Sequence, residues 1–293
     1  MLKTIFTITF ILVCSISVSA QKWIDEAKII TTHVAGNVYM IEGAGGNIGV
    51  SVGEDGILLI DDQFAKLADK IKAALADIHK GKLQFILNTH AHGDHVGGNA
   101  VFGAEGVLIA HENVRDRMID RYNEDPSDWM AVGKDGWPVI TFESSLSIYF
   151  NGEKIKVAHY PKSHTDGDAV IFFEKSNVIH MGDLLFSGLF PYIDLDSGGD
   201  VDEYIKSVKS ILDIVPNDSK IIAGHGPLST KKELKESYEM MIATTKIIRD
   251  EMKNGKSLDE IQKAGLGEEW KSWSWSFIPT ERWIEIIYNG SSK

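Results

Sequence analysis

Apolar residues recur along the chain at two different spacings. Continuous apolar runs at residues 57–60 and 107–110 predict strands that are buried on both faces. Apolar positions three or four residues apart over 63–80, 201–215 and 231–253 predict helices, the first two clearly amphipathic. An Asn-Gly pair at 151–152 separates two alternating segments, which is typical of a β-hairpin. Strands and helices are interspersed in both halves. The pattern therefore favours two packed sheets flanked by helices, and not one doubly wound sheet.

Two aromatic segments differ from these elements, and only the first lacks a clear period. Residues 123–141 carry two tryptophans, two prolines and two glycines, which fits either a lid or substrate wall, or a surface loop over a small satellite core. The aromatic residues of 270–277 alternate with polar ones. This alternation predicts an extended piece with one aromatic face, packed against the fold or used as a substrate platform.

The first 20 residues have the character of a secretory signal peptide. Lys3 precedes an apolar run at 5–13, and a small-residue sequence ends at Ala20. An uncleaved membrane anchor is the alternative. Cleavage after Ala20 would remove Cys14, which is the one cysteine in the sequence. We therefore expect a periplasmic or secreted protein without disulfides and without a stable membrane span.

Composition narrows the classes of partner. The net charge of −12 argues against nucleic acid or an anionic membrane as the main partner, because both require a basic face. No long linker or low-complexity segment divides the chain. We expect one domain over residues 21–293, with a helical extension from about residue 231, acting on a small molecule. The oligomeric state is left open.

The densest polar cluster follows the apolar segment 83–88. Three histidines and one aspartate lie within the six residues from His90 to His95. Burying so many polar groups without partners is costly, so a core position is unfavourable. The junction of a strand and a helix brings side chains together, and the cluster therefore predicts a metal site.

Four other polar residues also follow apolar, strand-like segments: Asp61, His164, Asp183 and His225. Strand ends on one edge of a sheet converge on one pocket. His164 could complete a three-imidazole set with His90 and His92. Asp94, His95 and His225 could form a second set, with one oxygen of Asp183 directed to each. Nitrogen and oxygen donors without thiolate suit zinc and leave iron or manganese open.

The order of these residues, with the His90-x-His92-x-Asp94-His95 motif, resembles the metallo-β-lactamase superfamily. The resemblance implies a four-layer αββα sandwich of the α/β class, with two Zn²⁺ ions at one edge. It implies a first site of His90, His92 and His164, a second site of Asp94, His95 and His225, and a bridging Asp183. Asp61 matches the acid that supports the ligand loop. Asp94 is also a candidate catalytic residue, because it could orient water or shuttle its proton.

Three positions depart from those exported β-lactamases of this superfamily that most resemble the layout of this chain. Asp183 stands where they carry cysteine, His95 where they usually have no histidine, and Phe186 where a lysine binds the substrate carboxylate. Another β-lactamase subclass has the Asp-His pair but lacks the bridging carboxylate. The full set is more similar to glyoxalase II-type thioesterases and lactonases. We therefore predict an exported dinuclear zinc hydrolase that cleaves an ester, lactone, thioester or amide (β-lactam) bond. The alternatives are an iron-dependent oxidoreductase of the same fold, a β-lactamase proper, and a protein that keeps the metal for stability alone. Candidate substrate contacts are Tyr192, Ser187, Lys162 and Asn47.

Overall fold

The computed structural model describes residues 23–291, so the predicted signal peptide lies outside the described residues. The first half of the chain builds a seven-stranded sheet in the order β1-β2-β3-β4-β6-β7-β8. Its strands are β1 (Ile30–Ala35), β2 (Val38–Glu42), β3 (Ile48–Gly53), β4 (Gly56–Ile60), β6 (Leu83–Leu87), β7 (Val107–His111) and β8 (Ile140–Phe142), and a two-residue strand, β5 (Gln63–Phe64), lies outside this sheet. Pairing is antiparallel from β1 to β4 and parallel from β4 to β8.

The second half builds a six-stranded sheet in the order β14-β13-β12-β11-β10-β9. Its strands are β9 (Ser145–Phe150), β10 (Glu153–His159), β11 (Ala169–Phe173), β12 (Val178–His180), β13 (Lys220–Ile222) and β14 (Ser229–Thr230). Strands β9 and β10 are joined at Asn151-Gly152, where both residues have positive φ, 51° and 76°. These angles suit the tight hairpin turn that the Asn-Gly pair predicts.

Helices cover the outer faces of both sheets. They are α1 (Ala68–Ile78), α2 (Gly93–Val96), α3 (Asn99–Phe102), α4 (Glu112–Glu124), α5 (Val201–Ile214), α6 (Lys231–Lys253), α7 (Leu258–Ala264) and α8 (Thr280–Gly290). One apolar cluster fills the space between the two sheets. A second lies between the first sheet and α1, and a third lies between the second sheet and helices α5, α6 and α8. The predicted αββα sandwich is confirmed. No helix of the part described is long and apolar enough to cross a membrane.

Two predicted elements were wrong in detail. The helix predicted over 63–80 begins only at residue 68, because Gln63 belongs to β5 and has a left-handed φ of 57°. The Gln63 amide donates to Gly46 O and so holds the chain against the β2–β3 turn. The segment predicted to be extended at 270–277 contains a 3₁₀ helix over Glu268–Trp273. Its Trp270 and Trp273 are three residues apart, the period of a 3₁₀ turn, and both pack on the third apolar cluster.

The 123–141 segment has features of both predicted alternatives, a wall beside the site and a surface loop over a small satellite core. Helix α4 continues to Glu124, and β8 begins at Ile140. Val132 and Trp137 pack into a satellite apolar cluster beside α4. Met130, by contrast, lies against Gly93 in the predicted ligand loop, so close that a Cβ on this glycine would be 2.7 Å from the Met130 Cβ.

Candidate metal centre

Two pairs of parallel strands bring the predicted ligands to one edge of the sandwich. Strands β4 and β6 are parallel neighbours, and their carboxyl ends lead to Asp61 and to the loop from His90 to His95. Strands β12 and β13 are parallel neighbours in the other sheet, and their ends lead to Asp183 and His225. His164 lies in the loop between β10 and β11.

The first donor set consists of His90 Nε2, His92 Nδ1, His164 Nε2 and Asp183 Oδ2. The His92 nitrogen is 3.1 Å from that of His90 and 2.9 Å from that of His164. Asp183 Oδ2 is 3.7 and 3.4 Å from the nitrogens of His90 and His164. Two ligand atoms of a tetrahedral zinc ion, with bonds of about 2.0–2.1 Å, lie about 3.3 Å apart. The spacing of this set therefore fits a single ion.

The second donor set consists of Asp94 Oδ2, His95 Nε2 and His225 Nε2, faced by Asp183 Oδ1. The two histidine nitrogens are 3.4 Å apart, and Asp94 Oδ2 is 3.6 and 3.3 Å from those of His95 and His225. These distances match those of the first set. The structure therefore brings together all seven residues that the sequence predicted as ligands.

Asp183 stands between the two sets, with Oδ2 directed to the first and Oδ1 to the second. It is 4% exposed, and Oδ1 is buried without a hydrogen-bond partner among the described residues. Gly224 packs directly on this oxygen, where a Cβ would overlap it. Its nearest polar neighbours are the ring nitrogens of His95 at 3.2 Å and His225 at 3.5 Å, and a buried carboxylate oxygen without a hydrogen bond is costly unless a cation lies beside it. This orphaned oxygen is the feature of the site that calls most directly for a metal ion.

Asp61 supports the ligand loop from the interior. Its carboxylate accepts hydrogen bonds from Thr89 N (2.8 Å), from Thr89 Oγ1 (2.7 Å) and from His95 Nδ1 (2.8 Å). The last of these directs the Nε2 lone pair of His95 towards the second set. His164 is oriented in the same way, because its Nδ1 donates to Tyr192 O at 2.7 Å.

Asp194 was not predicted as part of the site. Its Oδ2 is 2.8 Å from His92 Nε2, so His92 faces the first set with its other nitrogen, Nδ1. Oδ1 of Asp194 accepts from the backbone N–H of Asp196 and Ser197, which fixes the carboxylate within its own turn. The segment before α5 has no regular spacing of apolar residues, and nothing in its sequence marks Asp194 as a partner of His92.

The electrostatics of the cluster keep its carboxylates ionised. Burial favours the neutral acid of Asp94, but His95 and His225 outweigh it and hold the pKa of Asp94 well below its usual range. Burial also opposes the charged form of His225, yet Asp183 and Asp94 raise the pKa of His225 to about 9. At His164 burial prevails over the carboxylate of Asp183 and lowers the pKa to about 4. A neutral imidazole, the form that binds metal, is thus favoured at His164.

The four candidate substrate contacts occupy different environments. Tyr192 is half-buried, and its ring lies 5.8 Å from those of both His92 and His164. Lys162 is exposed and has a left-handed φ of 53°. Asn47 and Ser187 are buried. Asn47 donates to Ala223 O and Gly226 O and thereby braces the His225 loop, while Ser187 Oγ accepts from Ser229 Oγ. Both side chains are therefore engaged within the protein.

Two aromatic residues, Phe186 and Trp275, lie against His225 of the second donor set. Phe186 stacks on the imidazole of His225, with ring centroids 5.0 Å apart and an interplanar angle of 16°. Trp275 lies 5.9 Å from His225 as well. Alternation left packing against the fold and a substrate platform open for Trp275, and only the tertiary structure shows its proximity to the second donor set.

Comparisons with known proteins agree with this architecture. The sequence profile of the metallo-beta-lactamase superfamily matches residues 31–225. A protein of Aquifex aeolicus (strain VF5) described as uncharacterized is 31% identical over 174 residues, which cover 59% of this chain and 80% of that protein. A metallo-beta-lactamase type 2 of Elizabethkingia meningoseptica is 23% identical and matches 76% of this chain and 85% of its own length. The match confirms the resemblance that the ligand motif carries.

Solved structures share the fold at low sequence identity. A double mutant of a sec-alkyl sulfatase superposes with a TM-score of 0.67 at 15% identity, covering 90% of this chain. The chain spans half the length of that sulfatase. The DIM-1 metallo-beta-lactamase superposes with a TM-score of 0.61 at 15% identity, over 75% of this chain and all of the enzyme's length.

Proposed function

The chain belongs to the metallo-beta-lactamase superfamily, and on that premise we propose that it is a dinuclear zinc hydrolase that cleaves an ester, lactone, thioester or amide bond. The observation that carries the proposal is the position of Asp183, whose two oxygens face two separate donor sets. A site built for a single ion has no use for the second buried oxygen. Only nitrogen and oxygen donors take part, which suits zinc.

His90, His92 and His164 would hold one ion, and Asp94, His95 and His225 the other, with Asp183 shared. Zinc pairs of this kind supply Lewis acidity and a water of lowered pKa for attack on an acyl carbon. Asp94 is the one carboxylate of the cluster with substantial exposure, its side chain being 29% accessible. We assign to Asp94 the role of orienting the attacking water and of accepting its proton. The buried Asp61 would keep His95 aligned meanwhile.

Two features set the preference among substrates. Phe186 occupies the position at which β-lactamases carry a lysine for the substrate carboxylate, and it is only 2% exposed and stacked on His225. Asp183 replaces the cysteine of those enzymes. Both changes support a broader esterase-like or lactonase-like activity over efficient β-lactam cleavage.

The proposed activity can be tested by metal analysis and by a panel of substrates. We expect about two zinc ions per chain and hydrolysis of at least one of a cephalosporin, an acyl-homoserine lactone and a thioester, in a panel that also contains a phosphodiester. His92→Ala should abolish hydrolysis without unfolding the protein. His33→Ala is the matched control, because His33 is exposed and contacts Gly36 O and the ring of Tyr39, neither of which belongs to a donor set. A protein that takes up no zinc would refute the proposal, and bound iron with colour would favour the oxidoreductase instead.

Export is the second part of the proposal. The charged start, the apolar run and the small residues before Gln21 support a cleaved signal peptide and a periplasmic or secreted enzyme. Amino-terminal sequencing of protein from the periplasmic or secreted fraction should give Gln21 as the first residue. A chain that keeps Met1 and stays with the membrane would point to an anchor.

A further inference from the structure

An aromatic wall borders the metal centre on the side of the second sheet. We use this name for Phe186, Tyr192, Trp275 and Phe277. The four rings form a connected series. The distance between ring centroids is 6.1 Å from Phe186 to Trp275, 5.5 Å from Trp275 to Phe277, and 5.5 Å from Phe277 to Tyr192. The series begins on His225 and returns to His92 through Tyr192. It therefore extends along both donor sets.

The wall is fixed in place by backbone and side-chain hydrogen bonds. Trp275 Nε1 donates to Phe190 O at 3.0 Å, and Phe190 N donates to Trp273 O at 2.8 Å. The Arg282 guanidinium lies 4.3 Å from the centre of the Phe277 ring and 5.1 Å from that of Tyr192, so that it covers one side of each ring, and it donates to Phe277 O. A ring held in this way loses little conformational entropy when a ligand covers it.

Exposure increases along the wall with distance from the donors. Phe186 is 2% exposed, Tyr192 and Trp275 are half-buried, and Phe277 is 46% exposed. The inner ring thus serves packing, whereas the outer ring presents apolar surface to solvent beside a charged cluster. Covering such surface is favourable by about 25 cal/mol per Å².

Apolar side chains also lie next to the ligand loop. Met130 lies against Gly93, between two of the ligand residues in sequence. Its neighbour Trp129 is 58% exposed and lies 5.7 Å from Phe64. Apolar side chains therefore lie beside the ligand loop as well as along the wall.

We propose that the aromatic wall is a subsite for a flat apolar group, such as an aryl ring, carried by the substrate next to the bond that is cleaved. The inference rests on the proposed hydrolase function and names the class of substrate. Stacking on Phe277 and Tyr192 would hold the ring while the scissile carbonyl lies at the donor sets. An aryl ring and an aromatic side chain favour offset or edge-to-face contact, which a planar group satisfies and a puckered ring does not.

The test compares the binding of three carboxylates to the zinc-loaded protein by titration calorimetry. Acetate, cyclohexylacetate and phenylacetate share the carboxylate that resembles a hydrolysis product and differ only in the attached group. We expect phenylacetate to bind at least about tenfold more tightly than acetate, and more tightly than cyclohexylacetate. Phe277→Ala should weaken phenylacetate binding about two- to tenfold and leave acetate unchanged. Phe277→Leu keeps apolar surface and lacks the flat ring. Its affinity for phenylacetate should lie between those of Phe277→Ala and the unaltered protein.

The matched control is Tyr149→Ala. Tyr149 is 78% exposed on β9 and contacts none of the wall residues, so this variant should bind phenylacetate as the unaltered protein does. Equal binding of acetate and phenylacetate, or of phenylacetate and cyclohexylacetate, would overturn the subsite. So would an unchanged preference in Phe277→Ala. A protein with the expected preference but without any hydrolysis would contradict the proposed function and leave the subsite standing.

Discussion

Substitution of Asp194 by asparagine isolates the support that His92 receives from outside the donor sets. The carboxylate accepts from His92 Nε2 at 2.8 Å through Oδ2, while Oδ1 holds the turn at Ser197. The Asp194→Asn side chain has the same shape and can keep the bond to the turn. It loses the negative charge that makes the opposite nitrogen of His92 a better ligand. The pKa of Asp194 reflects the contact, because the hydrogen bond with His92 outweighs burial and holds that pKa well below its usual range.

Two estimates of the magnitude agree. Removing an outer carboxylate from a ligand histidine costs about 10- to 100-fold in metal affinity, which corresponds to about 1.4–2.8 kcal/mol. A hydrogen bond to a charged group contributes about 1.5–3 kcal/mol. We therefore expect the affinity of the first donor set for zinc to fall about 10- to 100-fold.

Competition between the protein and a chromophoric zinc chelator measures this affinity directly. Asp196→Asn is the control, because Asp196 is exposed in the same turn and its side chain contacts no ligand residue. An Asp194→Asn protein with zinc affinity within twofold of the unaltered protein would refute the reasoning. Equal loss in both variants would show that the net charge of the turn matters, and not the contact with His92.

Three further substitutions probe other parts of the structure. Asp61→Asn should place an amide N–H against the Nδ1–H of His95 and destabilise the metal-free protein by about 1–3 kcal/mol, measured by urea unfolding with chelator present; unchanged stability would contradict the bond pattern. Gly46→Ala should displace the His95 ring, which a Cβ would overlap, and reduce bound zinc from about two ions to about one, measured by elemental analysis; full occupancy would contradict it. Trp283→Ala should cost about 3–5 kcal/mol in thermal or urea unfolding, because Trp283 is 0% exposed and donates to Thr244 Oγ1; a loss below 1 kcal/mol would show that the outer core collapses around the gap.

The ligand loops were predictable because local pattern and tertiary position coincide in them. A polar residue directly after an apolar run lies at a strand end, and strand ends of parallel neighbours meet at one edge. This reasoning locates Asp61, Asp183 and His225 without knowledge of the sheet order. It also yields the αββα layers, since strands alternate with amphipathic helices in both halves.

The surroundings of the ligands could not be predicted, because they depend on contacts between irregular segments. Asp194 lies in a stretch without period, 102 residues from His92. Trp275 bonds to Phe190 across 85 residues of sequence. Such contacts are set by how the C-terminal segment packs on the second sheet, and no spacing rule reports them. Alternation within 270–277 was misleading for the same reason, since the three-residue spacing of Trp270 and Trp273 is satisfied by a 3₁₀ turn.

The division of the donors between the two sheets has a consequence for the order of assembly. Each set takes two residues from the loop after β6, His90 and His92 or Asp94 and His95. Each set is completed by residues of the second half of the chain, and even the pair that is nearest in sequence, His92 and His164, is 72 residues apart. Neither half alone can surround an ion. We therefore expect metal binding to be a late event in folding. It requires the two sheets to have packed together, and it then stabilises their packing.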